Sequence, residues 1–120
     1  MGSLLVHVTH GPEAPTRAAL ACLVAKAAVG AGHEVSMFFA GDAALLMKDE
    51  VIGALQGIGT GALSDTLPAL VEAEVPIFVS GMSAKGRGVT DADIATKGAT
   101  FAMPDKLVEL VFAADRVLSY

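Results

Sequence analysis

Short apolar segments alternate with longer helical patterns along the whole chain. Residues 4–9 (LLVHVT) form an apolar, β-branched run that ends at a Gly-Pro turn, which is typical of a strand buried on both faces. Residues 34–40 (EVSMFFA) and 77–80 (IFVS) have the same character. Weaker strand patterns follow at residues 100–102 and 116–120. The chain is therefore predicted to contain five strands.

Each segment between the strands carries the signals of a helix. Thr16 follows Pro15 and is a candidate N-cap for the first helix. Ser64 or Asp65 would cap a later helix in the same way, and Thr90 begins the box Thr-Asp-Ala-Asp. The predicted helices cover residues 16–31, 43–47, 65–74, 90–98 and 104–114.

This alternation of strands and helices predicts one domain over residues 1–120. The expected fold is a three-layer α/β arrangement, in which helices cover both faces of a doubly wound, mostly parallel, five-stranded sheet of the flavodoxin-like type. Residues 4–9 are expected to form the central strand, with residues 77–80 as its neighbour. The glycine-rich stretch 53–63 is expected to be the least ordered part of the chain and to form a mobile loop or lid.

The composition narrows the functional classes. Hydrophobic residues make up 53% of the 120 residues and charged residues 18%, but no apolar stretch is long enough to span a bilayer. No signal-peptide pattern opens the chain, so we expect a cytoplasmic protein without a membrane partner. The net charge of -5 argues against a nucleic-acid partner. Cys22 is the single cysteine and shows no metal-ligand spacing with the histidines, so neither a metal nor a cofactor is expected.

The excess of apolar residues predicts assembly into a homo-oligomer. On the first helix, a period of about 100° per residue places Ala18, Cys22 and Ala25 on a nearly uncharged face that is expected to point outward. Such a stripe of small residues suits close contact between subunits, which would put Cys22 at or near an interface. Lys26 lies one turn further on and could lower the pKa of the thiol, but an inert packing role for Cys22 is favoured.

Three loops follow the carboxyl ends of the main predicted strands, where ligands bind in open α/β sheets. Their sequences are HGPEAPT, GDAALLM and SGMSAKGRG. The third loop has the outline of an anion cradle, because glycines let backbone N–H groups converge and Lys85 and Arg87 add positive charge. A plain strand-to-helix connection with both cations in water fits the sequence equally well. These three loops and the strand ends that precede them are called the rim. Its candidate ligand-binding residues are Thr9, His10, Gly11, Asp42, Ser80, Gly81, Ser83, Lys85, Arg87 and Gly88.

The rim lacks the motifs of common catalytic classes. No Walker-type phosphate loop or G-x-G-x-x-G pattern occurs, and the aromatic content of 5% includes no Trp to stack on a flavin. No nucleophile elbow surrounds Ser80 or Ser83. His10 follows the first strand and could act as acid, base or hydrogen-bond donor, although such a residue more often shapes its loop. No catalytic residue is assigned, and His7 and His33 are expected to be structural.

Three long segments together resemble the DsrE/DsrF-like family of sulfur-relay proteins. They are VHVTHGPEAPTRAALACLVAKAAVGAGHEVSMFFAGDAALLM, VSGMSAKGRGV and FAMPDKLVELVFAADRVLSY, and they span nearly the whole chain. The resemblance implies an α/β protein that assembles into oligomers, here a homotrimer or homohexamer. It also implies sulfur transfer through a persulfide on a cysteine at the end of the strand that precedes the Arg-Gly loop.

The sequence departs from the family pattern at that position. Ser80 and Ser83 stand where relay members have cysteine, and a hydroxyl group cannot hold a persulfide. The expected function is therefore that of a non-catalytic, oligomeric binding or accessory subunit, with a rim site for a small anionic or sulfur-containing ligand. The alternative is a sulfurtransferase or sulfur-carrier enzyme that uses Cys22 or a cysteine of a partner.

Overall fold

The computed structural model describes residues 2–120 and contains a five-stranded sheet in which all pairs of strands are parallel. This arrangement confirms the predicted α/β class. The elements in chain order are β1 (Ser3–Val8), α1 (Pro15–Gly30), β2 (Glu34–Phe39), α2 (Asp49–Ala54), β3 (Gln56–Gly57), β4 (Gly61–Ala62), α3 (Leu67–Glu72), β5 (Ile77–Ser80), α4 (Gly81–Gly86), α5 (Asp91–Ala95), β6 (Ala99–Ala102), α6 (Pro104–Ala113) and β7 (Arg116–Ser119), with 3₁₀ turns at Gly41–Met47 and Leu63–Asp65.

The central strand is β2, because the order across the main sheet is β6-β5-β2-β1-β7. The expectation that residues 4–9 form the central strand beside residues 77–80 is therefore wrong. β2 separates the two, and β1 pairs on its other side with β7. All three inner strands are short and apolar, so their hydrophobicity does not rank them. The order also differs in detail from that of flavodoxin.

Helices cover both faces of this sheet. Side chains alternate along a strand, and one alternating set, which includes Val6, Met37 and Ile77, packs into the main apolar core with residues of α1, α3, α4 and α5. Phe78 points to the opposite face, where Nζ of Lys106 on α6 lies 5.2 Å from the centre of its ring. The last helix therefore covers the second face.

The apolar faces of α1 are oriented in the opposite way to the prediction. Ala18, Cys22 and Ala25 are fully buried in the main core, whereas Leu23 and Lys26 are exposed. Small side chains let the helix approach the sheet closely, so the alanine face packs inward. Both faces of this helix are apolar, so the spacing of apolar residues in the sequence does not determine which face packs against the sheet. Cys22 does not lie on an outward stripe.

The glycine-rich stretch 53–63 is an ordered part of the fold and not an open loop. It contains the end of α2 and the antiparallel pair β3–β4. A Cβ atom on Gly57 would collide with the side chains of Thr60 and Ala19, so glycine here permits close packing against α1. The N–H of Ile58 donates to Oγ1 of Thr16 at 3.1 Å. Thr16 therefore holds the hairpin and does not cap α1, which begins at Pro15.

Two other helix starts test the predicted caps. At α5 the Thr90 N–H donates to Oδ2 of Asp93 at 2.9 Å, which confirms the capping box. Ser64 and Asp65 lie in a 3₁₀ turn, and Thr66 is the residue that precedes α3. Within residues 2–120, no helix combines the length and apolarity that a membrane crossing requires.

Candidate functional site

Three loops meet at the carboxyl edge of the sheet, after β1, β2 and β5. A Cβ atom on Gly11 would collide with the main-chain oxygen of Asp42, so the absence of a side chain lets the first two loops touch. The N–H of Gly41 donates to Oγ of Ser83 at 2.8 Å, which joins the second and third loops. Direct contacts therefore join the three loops at this edge of the sheet.

The two serines of the rim act as hydrogen-bond acceptors for the backbone. Residues 81–86 form the short helix α4, where a loop was expected, and Oγ of Ser80 caps it by accepting the Ser83 N–H at 3.2 Å. Oγ of Ser83 accepts the Gly41 N–H described above. Gly81 is the first residue of α4 and adjoins β6, where a Cβ atom would lie 3.9 Å from the main-chain oxygen of Ala102. Both hydroxyl groups therefore hold the local backbone in place.

Arg87 cross-links the rim. Its Nε and Nη2 atoms each lie 3.0 Å from Oδ1 of Asp42, and Nη1 donates to the Ser83 main-chain oxygen at 3.2 Å. The charge of Arg87 is thus balanced within the protein. Lys85 is exposed and makes no hydrogen bond or ion pair with residues 2–120. Gly88 has a φ of +69°, which a residue with a side chain rarely adopts, and it turns the chain after Arg87.

His10 is held by a carboxylate of its own turn. Its Nδ1 atom lies 2.8 Å from Oε2 of Glu13, and the other oxygen of Glu13 accepts the Gly11 N–H. Desolvation opposes the charge of Glu13, but the hydrogen bonds from His10 and Gly11 outweigh it and lower the pKa of this carboxyl. The side chain of His10 is 36% exposed.

Thr9 contacts the edge of the sheet next to β7. Its N–H and its hydroxyl group both donate to the main-chain oxygen of Tyr120, at 2.7 and 2.9 Å. Tyr120 in turn donates its N–H to the His7 oxygen at 2.8 Å. The hydroxyl group of Thr9 therefore connects the end of β1 to Tyr120.

Two exposed methionines adjoin the rim and were absent from the predicted site. Met82 is 64% exposed on α4 and Met103 is 50% exposed after β6. The sulfur of Met103 lies 3.9 Å from the position that a Cβ of Gly81 would occupy. An apolar residue beside glycine and serine in a strand-end loop is the signal that could have indicated Met82. Glu13 was also missed, although its spacing from His10 in the turn HGPE allows their contact.

The thiol of Cys22 is not accessible to solvent. It is 0% exposed and belongs to the core between α1 and the sheet. Burial raises the pKa of its thiol to about 12, so the thiolate is scarce near neutral pH.

Large cavities lie at the opposite edge of the sheet. One of ≈ 480 Å³ is bordered by residues of β1, β2 and the end of α6, and one of ≈ 540 Å³ is bordered by residues at the starts of β1 and β7. His33 borders both cavities, and its Nδ1 atom accepts a hydrogen bond from the Gly2 N–H at 3.1 Å. Among residues 2–120 no three His, Cys, Asp or Glu side chains are grouped as a metal site would need.

The fold is that of a parallel α/β protein in which three strand-end loops meet at one edge of the main sheet. A family model described as the DsrE/DsrF-like family matches residues 2–120, and the chain belongs to this family.

Two solved structures share the fold. The crystal structure of the ychN protein from E. coli is similar with a TM-score of 0.79, at 19% identity and over 100% of both chains. A conserved protein of unknown function from Bacteroides thetaiotaomicron, BT1422, is similar with a TM-score of 0.66 at 15% identity, over 99% of this chain and 95% of the other. Likeness at these identities concerns the fold alone. No curated protein matches this sequence.

Proposed function

We propose that this protein is a non-catalytic, oligomeric subunit related to the sulfur-relay proteins, which acts by binding and does not carry sulfur on its own side chains. The observation that supports this proposal best is the state of its only thiol. Cys22 is 0% exposed, while serine occupies the two rim positions where the family resemblance implies cysteine. A persulfide forms on a thiolate, and no thiolate is present at the rim.

The hydrogen bonds of Ser80 and Ser83 support a structural role for both residues. Each Oγ atom accepts a backbone N–H, and together they connect β5, α4 and the loop after β2. No basic side chain is bonded to either hydroxyl group among the described contacts, so neither serine has the partner that activates a nucleophile. An enzyme that used Cys22 would need to expose a core residue with a strongly raised pKa.

The rim site that we propose takes a small anionic sulfur compound. Lys85 supplies a free positive charge, and Nε2 of His10 supplies a polar contact at the same edge of the sheet. Met82 and Met103 supply polarizable thioethers that suit a soft sulfur atom. The pairing of Arg87 with Asp42 limits the affinity for any anion, because that cation is already neutralised, so the preference for a sulfur compound over sulfate rests on the two thioethers.

Sulfur loading tests the non-catalytic part of the proposal. The wild-type protein, Cys22→Ser and Ser80→Cys would be incubated with polysulfide, and intact mass spectrometry would count the added sulfur atoms. We expect loading on Ser80→Cys alone, because only this variant has a thiol at the rim. Sulfur on the wild-type protein that Cys22→Ser abolishes would contradict the proposal.

Ligand titration tests the rim site. Thiosulfate would be titrated into the protein and followed by the NMR shifts of residues 80–88, with sulfate as the hard-anion control. We expect thiosulfate to bind more tightly than sulfate, and Lys85→Met to weaken binding about fivefold or more, as the loss of a charged hydrogen bond does. Equal binding by Lys85→Met and wild type would refute the role of Lys85, and no shift with either anion would refute the site.

A further inference from the structure

A separate cavity lies in the helical layer between α2, α3 and the turn after α5. Its volume is ≈ 330 Å³, at the lower end of the range of about 300–1,000 Å³ that is typical of small-molecule sites. None of the residues that line it belongs to the rim. Four apolar side chains and one ion pair border it, and they are Ile52, Leu67, Pro68, Val71, Asp49 and Lys97.

Lys97 is a buried cation at this cavity. Its side chain is only 6% exposed, and lysine is rarely buried to this extent. Its Nζ atom donates to Oδ1 of Asp49 and to the main-chain oxygen of Asp93, both at 2.8 Å, and to Oγ1 of Thr96 at 3.2 Å. Among these three acceptors, only the carboxylate of Asp49 carries a full negative charge, and a buried ammonium group requires such a partner.

The ion pair is asymmetric, because Asp49 is 84% exposed. The carboxylate of Asp49 can therefore turn into water without losing buried contacts of its own. Asp93 cannot replace it, since its side chain is bound by Lys48 at 3.1 Å and by Thr90. These hydrogen bonds from Thr90 and Lys48 lower the pKa of Asp93 and commit it to that cluster.

We propose that this cavity binds a short aliphatic carboxylate, whose charged group replaces Asp49 on Lys97. The exchange keeps one carboxylate on the buried ammonium, so the electrostatic cost is small. The displaced Asp49 becomes hydrated, and the aliphatic chain of the ligand buries against Ile52, Pro68 and Val71, which keep accessible surface in the cavity. The net gain therefore comes from apolar burial, at about 25 cal/mol per Å².

The same arrangement determines which ligands are rejected. An amine of the same length would place a second cation beside Lys97, and an alcohol would leave Asp49 in place and gain no ionic contact. A carboxylate without an aliphatic chain, such as acetate, would lose the apolar contribution. The site is thus specific for the combination of a negative charge and a short chain.

Hexanoate is the probe for the test, and hexanol, hexylamine and acetate are the controls. Binding to the full chain would be followed by the NMR shifts of residues 49–53 and 67–71. We expect binding of hexanoate alone. Lys97→Met should weaken it about tenfold or more, because it removes a charge-assisted hydrogen bond.

Two further variants keep the test decisive if Lys97→Met does not fold. Asp49→Asn should bind hexanoate about threefold to tenfold more tightly than wild type, since it removes the internal competitor and leaves Lys97 without its own anion. Gly53 lines the cavity, and a Cβ atom there meets nothing within 4 Å. Gly53→Leu should therefore fill the space and abolish binding. Gly30→Leu on α1, which also has free space at Cβ, is the matched control and should bind as wild type does.

Weaker or unchanged binding by Asp49→Asn would overturn the exchange. Unchanged binding by Gly53→Leu would overturn the location of the site. Equal binding of hexanol and hexanoate would overturn the role of the ammonium group and leave only an apolar cleft.

Discussion

The two faces of the sheet differ in how completely they are covered. On the side of α1, Val6, Met37 and Phe39 are fully buried and belong to one continuous core. On the other side, Leu5 and Phe38 are buried, but α6 contains no buried residue and β7 is exposed along its whole length. The large apolar side chains left in water on this side are Val108, Val111 and Phe112 of α6 and Val117 of β7, which is in register with Leu5.

This difference indicates a division of roles between the faces. The α1 side contains the main apolar core of the chain, so it supplies most of the folding stability. The α6 side keeps a group of large apolar side chains exposed, which is typical of an interaction surface. The homo-oligomer that we propose would use this second face. The stripe that contains Cys22 was expected to serve this purpose, but it is already packed.

The largest effect on stability should follow from removing a large side chain from the α1 side of the sheet. Phe39→Ala removes a fully buried aromatic side chain and should lower the free energy of unfolding by about 3–5 kcal/mol. Phe112→Ala removes an aromatic side chain that is 86% exposed and should change the stability of the monomer by less than about 0.5 kcal/mol. Urea denaturation at a concentration where the protein is monomeric measures both. Similar losses in the two variants would contradict the division of roles.

A smaller effect should follow from overfilling each face. Ala21→Val adds two methyl groups to a fully buried position of α1 and should cost about 1–3 kcal/mol. Ala113→Val makes the same change at the exposed end of α6 and should cost no more than the helix propensity of valine, about 0.5 kcal/mol. Thermal unfolding of both variants provides the comparison. If Ala21→Val costs no more stability than Ala113→Val, α1 does not pack tightly against the sheet.

The fold was predictable because its signals are local. Apolar runs of four to seven residues and capping residues such as Thr90 determine where strands and helices lie, and these signals were read correctly in most of the chain. Strand order depends on long-range contacts between equally apolar strands, so the central position of β2 could not be deduced. The orientation of α1 was ambiguous for a related reason, since both of its faces are apolar.

The site was predictable only to the level of loops. The rule for parallel sheets predicts that the three loops lie together at the carboxyl edge of the sheet, and the contacts of Gly11 with Asp42 and of Gly41 with Ser83 show this arrangement. Whether Lys85 and Arg87 are free to bind a ligand depends on side-chain contacts between loops that are distant in the sequence. Arg87 and Asp42 are 45 positions apart, and nothing local to either indicates their pairing. Lys97 and Asp49, which are 48 positions apart, were missed for the same reason.

A third test addresses the exposed face directly. Phe112→Ser replaces the most exposed aromatic side chain of α6 with a small polar one. If α6 and β7 form the contact between subunits, the dissociation constant of the oligomer should rise about tenfold or more, as for a residue that anchors an interface. Light scattering over a range of concentrations measures it. Met82→Ser, which changes an exposed apolar residue of the rim, is the matched control, and an equal effect of both would remove the assignment to α6.

The smallest expected effect concerns His7, which lies on the α6 side of β1. Its ring contacts that of Phe38 edge to face with centroids 6.0 Å apart, and its Nε2 atom is buried without a hydrogen-bond partner among residues 2–120. Desolvation lowers the pKa of His7 in the folded protein below its ordinary value of about 6.5. The unfolded chain therefore binds the proton more readily, so the contribution of His7 to stability is complete above about pH 6.5 and is lost as the pH falls from there through the folded pKa. Comparison with His7→Phe isolates this contribution, because the other titrating groups are common to both proteins. The difference in unfolding free energy between wild type and His7→Phe should be constant above about pH 7 and shift against the wild type as the pH falls below about 6.5. A difference that stays constant through this window would mean that water reaches Nε2 of His7, and that α6 covers its face of the sheet even less closely than the structure indicates.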